Sequence, residues 1–199
     1  MTDTSARLAA LIGSRICHDL ISPIGAISNG LELLGLAGSI KGPEFDLISD
    51  SVTNAGARIR FFRIAYGAAG EQMLGRPEIA SVLEDVSRSG RIKMRWTPAE
   101  PQPRTEVRLA FLALQCCETA MPYGGTVEVN ATEGAWTVSG AADKMICDPR
   151  LWAHLDGSSA DLAEIVPATV QFALLPTLAG DMGRSLGQSA EGGRVFIRF

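Results

Sequence analysis

The chain reads as an α+β protein in two parts. An N-terminal antiparallel helical hairpin forms a dimeric four-helix bundle, and an α/β layer sandwich follows. Three observations predict this. Leu8, Ile12, Ile16 and Leu20 recur at four-residue steps, and Ile27, Leu31 and Leu34 continue at steps of 4 and 3. That is the spacing of one amphipathic helix of roughly thirty residues. Ile48, Val52, Ala55, Ile59, Phe62 and Tyr66 then follow at steps of 4, 3, 4, 3 and 4, a heptad seam. Past residues 67–77 the period changes: Ile92, Met94 and Trp96 alternate with Arg91, Lys93 and Arg95, as in a strand with one apolar face.

Gly35, Gly38 and the Gly42–Pro43 pair end the first helix and turn the chain back. Two helices bury little between them; pairing with a second copy is the expected remedy, with folding back on the rest of its own chain as the alternative, and the segment 1–72 is read as the dimerising domain. The Gly-rich stretch 67–77 is the boundary, and 76–199 is the second domain. There the pattern predicts a helix over 78–89, a strand over 92–96, and a loop over 97–103. An apolar helix over 106–121 follows, then a hairpin of 126–132 and 135–139. A helix over 168–182 is stopped by Gly183. Strands over 184–188 and 194–199 join through Gly192–Gly193.

Composition narrows the function. The chain has 199 residues, 46% hydrophobic and 20% charged, which excludes a disordered protein. Net charge is −4, with 6 basic and 7 acidic residues in 1–72 and 12 and 15 in 73–199. Neither part carries the overall basic surface of a nucleic-acid binder. No apolar run approaches a membrane span, and no signal-peptide order is present, so the expectation is a cytoplasmic protein. Cys17, Cys116, Cys117 and Cys147 form neither a disulfide framework nor a zinc site. His18 and His154 are the only histidines. His154, between Ala153 and Leu155, reads as structural. The usual nucleotide-binding and hydrolase signatures are missing.

His18 therefore carries the chemical interest. It stands about 200° around the helix from Ile16 and from Leu20, away from the apolar seam. Ser14 and Ser22 lie one turn either side, with Arg15, Gly25 and Asn29 nearby on the stripe. A solvated helix face usually carries Lys and Glu. A shelf of small and polar residues instead lets another protein's active site come close. Asp19 is placed to orient the imidazole and stabilise its charged form. Pro23 removes an N–H and predicts a local bend one turn above the histidine.

The run SRICHDLISPIGAISNGLELL resembles the phosphoacceptor helix of two-component sensor histidine kinases, which carry a histidine, an acid and a proline at this spacing. The shorter run HDLISPIGAISNGLELL is more similar to alphaproteobacterial histidine phosphotransferases of the ChpT type. The ending ATVQFALLPTLAGDMGRSLGQSAEGGRVFIRF is similar to the last helix, hairpin and edge strand of a kinase ATP-binding domain. The resemblance implies a kinase-like core: a dimeric phosphotransfer hairpin and a degenerate Bergerat-type domain. In kinases that domain uses an Asn for Mg²⁺, an Asp-x-Gly-x-Gly turn and a Gly-rich lid. Here the corresponding helix reads LALQCCETAMPYGG, with Gln115 and Glu118 its long polar residues. The turn reads Gly140-Ala141-Ala142-Asp143, and 158–167 has no paired glycines.

No bound cofactor is therefore expected, and Mg²⁺ belongs to the partner. The resemblance implies phosphoryl transfer through His18 between receiver domains of a hybrid kinase and of CtrA- and CpdR-like response regulators. Ser14, Arg15, Ser22, Gly25 and Asn29 are the implied docking residues. Arg63 meets either the phosphate or solvent. The stripe Arg91, Lys93, Arg95 is either a second docking surface or a solvated strand face. The alternatives are a divergent active histidine kinase, and a non-catalytic dimeric adaptor that inhibits a kinase.

Overall fold

Two helices approach closely where small residues let them, and glycines set the N-terminal hairpin. The computed structural model describes residues 3–36, 38, 42–68, 70–158 and 162–199, without the side chains of 3–12, Ser14, Arg15, Asp19, Pro23 and Ser89. Helix α1 runs Asp3–Leu36 and α2 runs Pro43–Ala65. Pro43 opens α2 in its first turn, where a missing N–H costs nothing, and Glu44 and Asp46 meet the positive end of the helix. A methyl on Gly13 would sit 3.3 Å from the Tyr66 carbonyl oxygen, and one on Gly35 3.6 Å from the Phe45 ring. One on Gly56 would lie 3.6 Å from Ile24 Cγ2. These pairs share one antiparallel register.

α1 meets α2 along Gly13, Ile24 and Gly35, not along the Ile16 seam. Ile16 and Leu20 are 54% and 45% exposed, and Ile27 and Leu34 are 48% and 41% exposed. On α2, Ile48 is exposed and Val52, Ala55, Ile59, Phe62 and Tyr66 are half-buried, while Ala57, Phe61, Ile64 and Ala65 are buried. A one-dimensional period finds the apolar side of a helix, not which neighbour covers it. Leu8 and Ile12 lie outside the described side chains. So does Pro23, on which the expected bend rests; α1 is continuous through that position.

Contacts divide the chain into Met1–Gly70 and Glu71–Phe199. The second unit holds a mixed five-stranded sheet of order β2-β4-β5-β7-β6. Its strands are β2 (Ile92–Trp96), β4 (Gly125–Thr132), β5 (Ala135–Ala141), β6 (Gly187–Glu191) and β7 (Arg194–Arg198). β2 and β4 are parallel, and the other pairs are antiparallel. Helix α3 (Arg76–Ser89) lies against β2. The Met94 N–H donates to the Ser87 hydroxyl at 3.0 Å and the Lys93 ammonium donates to the Ser87 carbonyl at 2.8 Å. An edge strand is thereby covered rather than left open to pairing.

Helix α4 (Arg104–Ala120) packs on β4, β5 and β7, and α6 (Gln171–Asp181) packs on α4. Every residue of α4 from Val107 to Cys117 is buried, as expected of a helix covered on all sides. Phe111 and Phe172 are fully buried, each worth about 1.5–3 kcal/mol of transfer free energy. Trp96 sits 5.5 Å from Trp136, which stacks on Phe199 at 5.9 Å. Arg184 reaches Glu106 at 2.6 Å and the Gly134 carbonyl at 3.0 Å, tying the chain after α6 to the start of α4 and the β4–β5 turn.

Gly140 lets β5 approach α4. A methyl there would lie 2.9 Å from Val195 Cγ2 and 3.3 Å from both Cys117 Cβ and Met121 Cε. Gly140→Ala is expected to cost about 1–3 kcal/mol by overpacking, read as a lowered urea midpoint at unchanged slope.

Several sequence-based boundaries move. The expected loop 97–103 ends in β3 (Gln102–Pro103), which pairs antiparallel with β1 (Met73–Leu74). Two residues per strand are too few to leave a periodic signal. α3 and α4 start at Arg76 and Arg104, each two residues early. The last helix begins as a 3₁₀ turn at Pro167–Thr169, and Gly183 stops α6 with φ of 69°. β6 is displaced three residues from the expected 184–188, because Arg184 serves the Glu106 tie and its N–H caps Ala179. A short helix α5 (Pro149–Trp152), capped by Asp148, went unread.

Candidate functional site

The site is built on one face of α1. Cys17 is buried and His18, the next residue, is exposed, so the helix turns the imidazole outward. Ser22 and Asn29 are exposed on the same stripe and Gly25 is half-buried. A side chain added at Gly25 would meet nothing within 4 Å, so the surface one to two turns above His18 is low and open. The structure therefore brings His18, Ser22, Gly25 and Asn29 together on one face. Ser14, Arg15 and Asp19 belong to the same helix, but their side chains lie outside the described ones.

α2 adds one feature to this level of the hairpin. Arg63 lies close enough to act electrostatically on Cys17, whose thiol burial pushes above its ordinary value while the guanidinium pulls it back. Arg63 itself is exposed. The antiparallel register that pairs Gly13 with Tyr66 is what brings position 63 near position 17.

The second unit contains the helix and the 158–167 stretch that the sequence resemblance set against a kinase nucleotide site. Ala113 to Cys117 are buried, Gln115 among them, and Glu118 is half-buried. The Thr119 hydroxyl donates to the Gln115 carbonyl at 2.9 Å, and the Gln171 amide donates to that hydroxyl at 3.0 Å, which joins α4 to α6. Trp152, His154 and Leu155 are buried, and Trp152 packs edge-on to Phe172 at 5.9 Å. Arg150 pairs with Asp148 at 3.0 Å and with Glu164, which lies in the 158–167 stretch, at 3.1 Å. The hydrogen bonds from Arg150 hold the Asp148 carboxyl below the usual range. Exposed pairs of this kind add little stability. Residues 159–161 of the expected lid lie outside the described residues.

All four cysteines are free, and burial with Cys147 nearby pushes the Cys117 thiol up to about 12. Among the described residues, no helix is long and apolar enough to cross a membrane.

The family model described as histidine phosphotransferase C-terminal domain matches residues 76–194. The chain is 39% identical over 132 residues to the protein phosphotransferase ChpT of Brucella abortus strain 2308. That match covers 65% of this chain and 63% of the relative, so the chain spans somewhat less than two thirds of that protein's length. A solved structure of a bacterial phosphotransferase is similar across 100% of this chain and 97% of its own, with a TM-score of 0.69 and 29% identity.

Proposed function

Because this chain belongs to the histidine phosphotransferase family, we propose that it relays a phosphoryl group through His18 between receiver domains of a two-component phosphorelay. The observation that carries this reading is an exposed histidine on a helix face of small and polar residues. A docking partner brings an aspartyl phosphate and its own Mg²⁺. The nucleophilic imidazole nitrogen attacks phosphorus in line. The N–P bond forms, the P–O bond to aspartate breaks, and the carboxylate leaves. A second receiver's aspartate then reverses the step, taking the phosphoryl group and restoring the imidazole. Proximity supplies most of the acceleration, since the metal and the phosphate cradle come with the partner. Asp19 orients the ring and stabilises its positive charge. Ser14, Arg15, Ser22, Gly25 and Asn29 form the docking surface.

The exposed seam Ile16, Leu20, Ile27 and Leu34 supports a homodimer through the hairpin, completing a four-helix bundle. The second domain is read as a Bergerat-type fold that binds no nucleotide, a reading supported by the buried Ala113–Cys117 stretch and by Trp152 packed on Phe172. The protein acts in the cytoplasm, on a hybrid kinase and on CtrA- and CpdR-like regulators.

The test mixes the protein with a phosphorylated receiver domain and, separately, with labelled ATP. Label acquired from the receiver alone supports the relay. Label acquired directly from ATP overturns it in favour of a kinase, and none from either source favours an adaptor. Gly25→Arg fills the open surface without an internal clash. It is expected to slow transfer about tenfold or more while the thermal midpoint stays within a few degrees, because a surface substitution of this kind changes stability by about 0.5 kcal/mol at most.

A further inference from the structure

Helices cover one face of the sheet, and the other face carries a charge pattern that the relay does not use. Strand register lays it out in rows. Lys93, Thr126, Ala141, Arg194 and Glu191 form one row across the sheet. Arg95, Glu128, Ser139 and Phe196 form the next. Arg198 stands two residues beyond Phe196, so the face holds Lys93, Arg95, Arg194 and Arg198 against Glu128 and Glu191. This excess of positive charge lies on a chain whose net charge is −4.

The face is also concave. α3 overhangs β2 and adds Arg76 and Glu84 to the rim of a cavity of about 750 Å³, which Lys93, Arg95, Glu128 and Arg194 also line. Lys93 is engaged with the Ser87 carbonyl, and Arg198 lies over the Phe196 ring at 5.0 Å. Among the described residues, Arg76, Arg95 and Arg194 have no carboxylate in ion-pair reach. Three guanidiniums, each able to take an acidic group in two hydrogen bonds, thus face one cavity, and with Lys93 they outnumber the Glu84 and Glu128 carboxylates that also line it.

We propose that this open sheet face binds an acidic, extended segment of a partner protein, held by Arg76, Arg95 and Arg194. β2 and β7 are three strand spacings apart, about 14 Å, too far for one phosphate or carboxylate to bridge. An extended peptide with carboxylates at alternate residues projects them along one side at about 7 Å intervals, matched to that span. Glu128 sits mid-row between the cations. It repels a continuous phosphate backbone but accepts from the amide or hydroxyl donors that a peptide offers between its acids.

The test is fluorescence anisotropy of a labelled peptide of six Glu-Ser repeats against the full chain. Saturable binding that weakens with salt is expected. Arg95→Glu and Arg194→Glu should each weaken it about tenfold. Arg88→Glu, the same charge change at an exposed site on α3 paired to Asp85, should leave it within about twofold. Melting of each variant confirms that the fold is kept. Failure of the wild type to saturate overturns the proposal. So does equal weakening by Arg88→Glu, which would reduce the effect to net charge. Tighter binding of inorganic tripolyphosphate or a single-stranded oligonucleotide than of the peptide would assign the face to phosphate-bearing ligands instead. None of these readouts involves His18, so failure here leaves the relay reading untouched.

Discussion

Replacing His18 by alanine is expected to abolish phosphoryl uptake from a phosphorylated receiver, with a loss of about a thousandfold or more, while the hairpin stays folded. The size follows from the proposed role: alanine at 18 removes the nucleophile that would form the bond to phosphorus. The preserved fold follows from exposure. His18 stands outside the packed line of α1, and alanine is a better helix former than histidine, so stability should hold or rise slightly. Acid-labile label on the wild type and none on His18→Ala, at equal circular dichroism and equal melting, is the result that fits. Label retained by the variant would move the acceptor to another residue.

The double substitution Leu20→Glu with Ile27→Glu is expected to split the proposed dimer into folded monomers. Leu20 and Ile27 are 45% and 48% exposed in the single chain, so a glutamate at either position meets water there and helix propensity is kept. In the proposed bundle the same positions would face their counterparts, and four unpaired carboxylates would lose solvation. At a cost of about 1–3 kcal/mol for each imperfectly satisfied polar group, the dissociation constant should rise by at least two decades. Sedimentation or light scattering across a dilution series reads this directly, and a wild-type chain that is already monomeric at tens of micromolar would remove the bundle. Phosphotransfer by the separated monomers would then show whether the partner needs one hairpin or two.

Local periodicity carried much of this fold and of its candidate site. The two long helices, the α4 helix and the β4–β5 hairpin were readable because each repeats its pattern over two turns or four alternations. His18 was readable for the same reason. Its position relative to Ile16 and Leu20 is fixed by 3.6 residues per turn, and its neighbours at four-residue steps are unusually small. Elements whose signal is tertiary were not readable. The β1–β3 pair is two residues a side, held by strand pairing between positions about thirty apart. β6 begins late because Arg184 is drawn to Glu106, 78 positions away in sequence. The Arg63–Cys17 proximity needed the hairpin register, which no spacing within either helix contains.

The sequence by itself determined that the chain has a helical hairpin and an α/β layer, that one histidine stands on a polar face, and that no Asp-x-Gly-x-Gly turn follows the β5 segment. Only the tertiary structure decided which apolar residues the hairpin buries and which it leaves at the surface. It alone gathered Arg76, Arg95 and Arg194, residues of α3, β2 and β7, around one cavity. The reason is physical. A side chain's direction follows from its own helix or strand period, whereas its neighbour follows from packing between segments far apart in sequence, where glycines such as Gly13, Gly56 and Gly140 set how closely the elements approach.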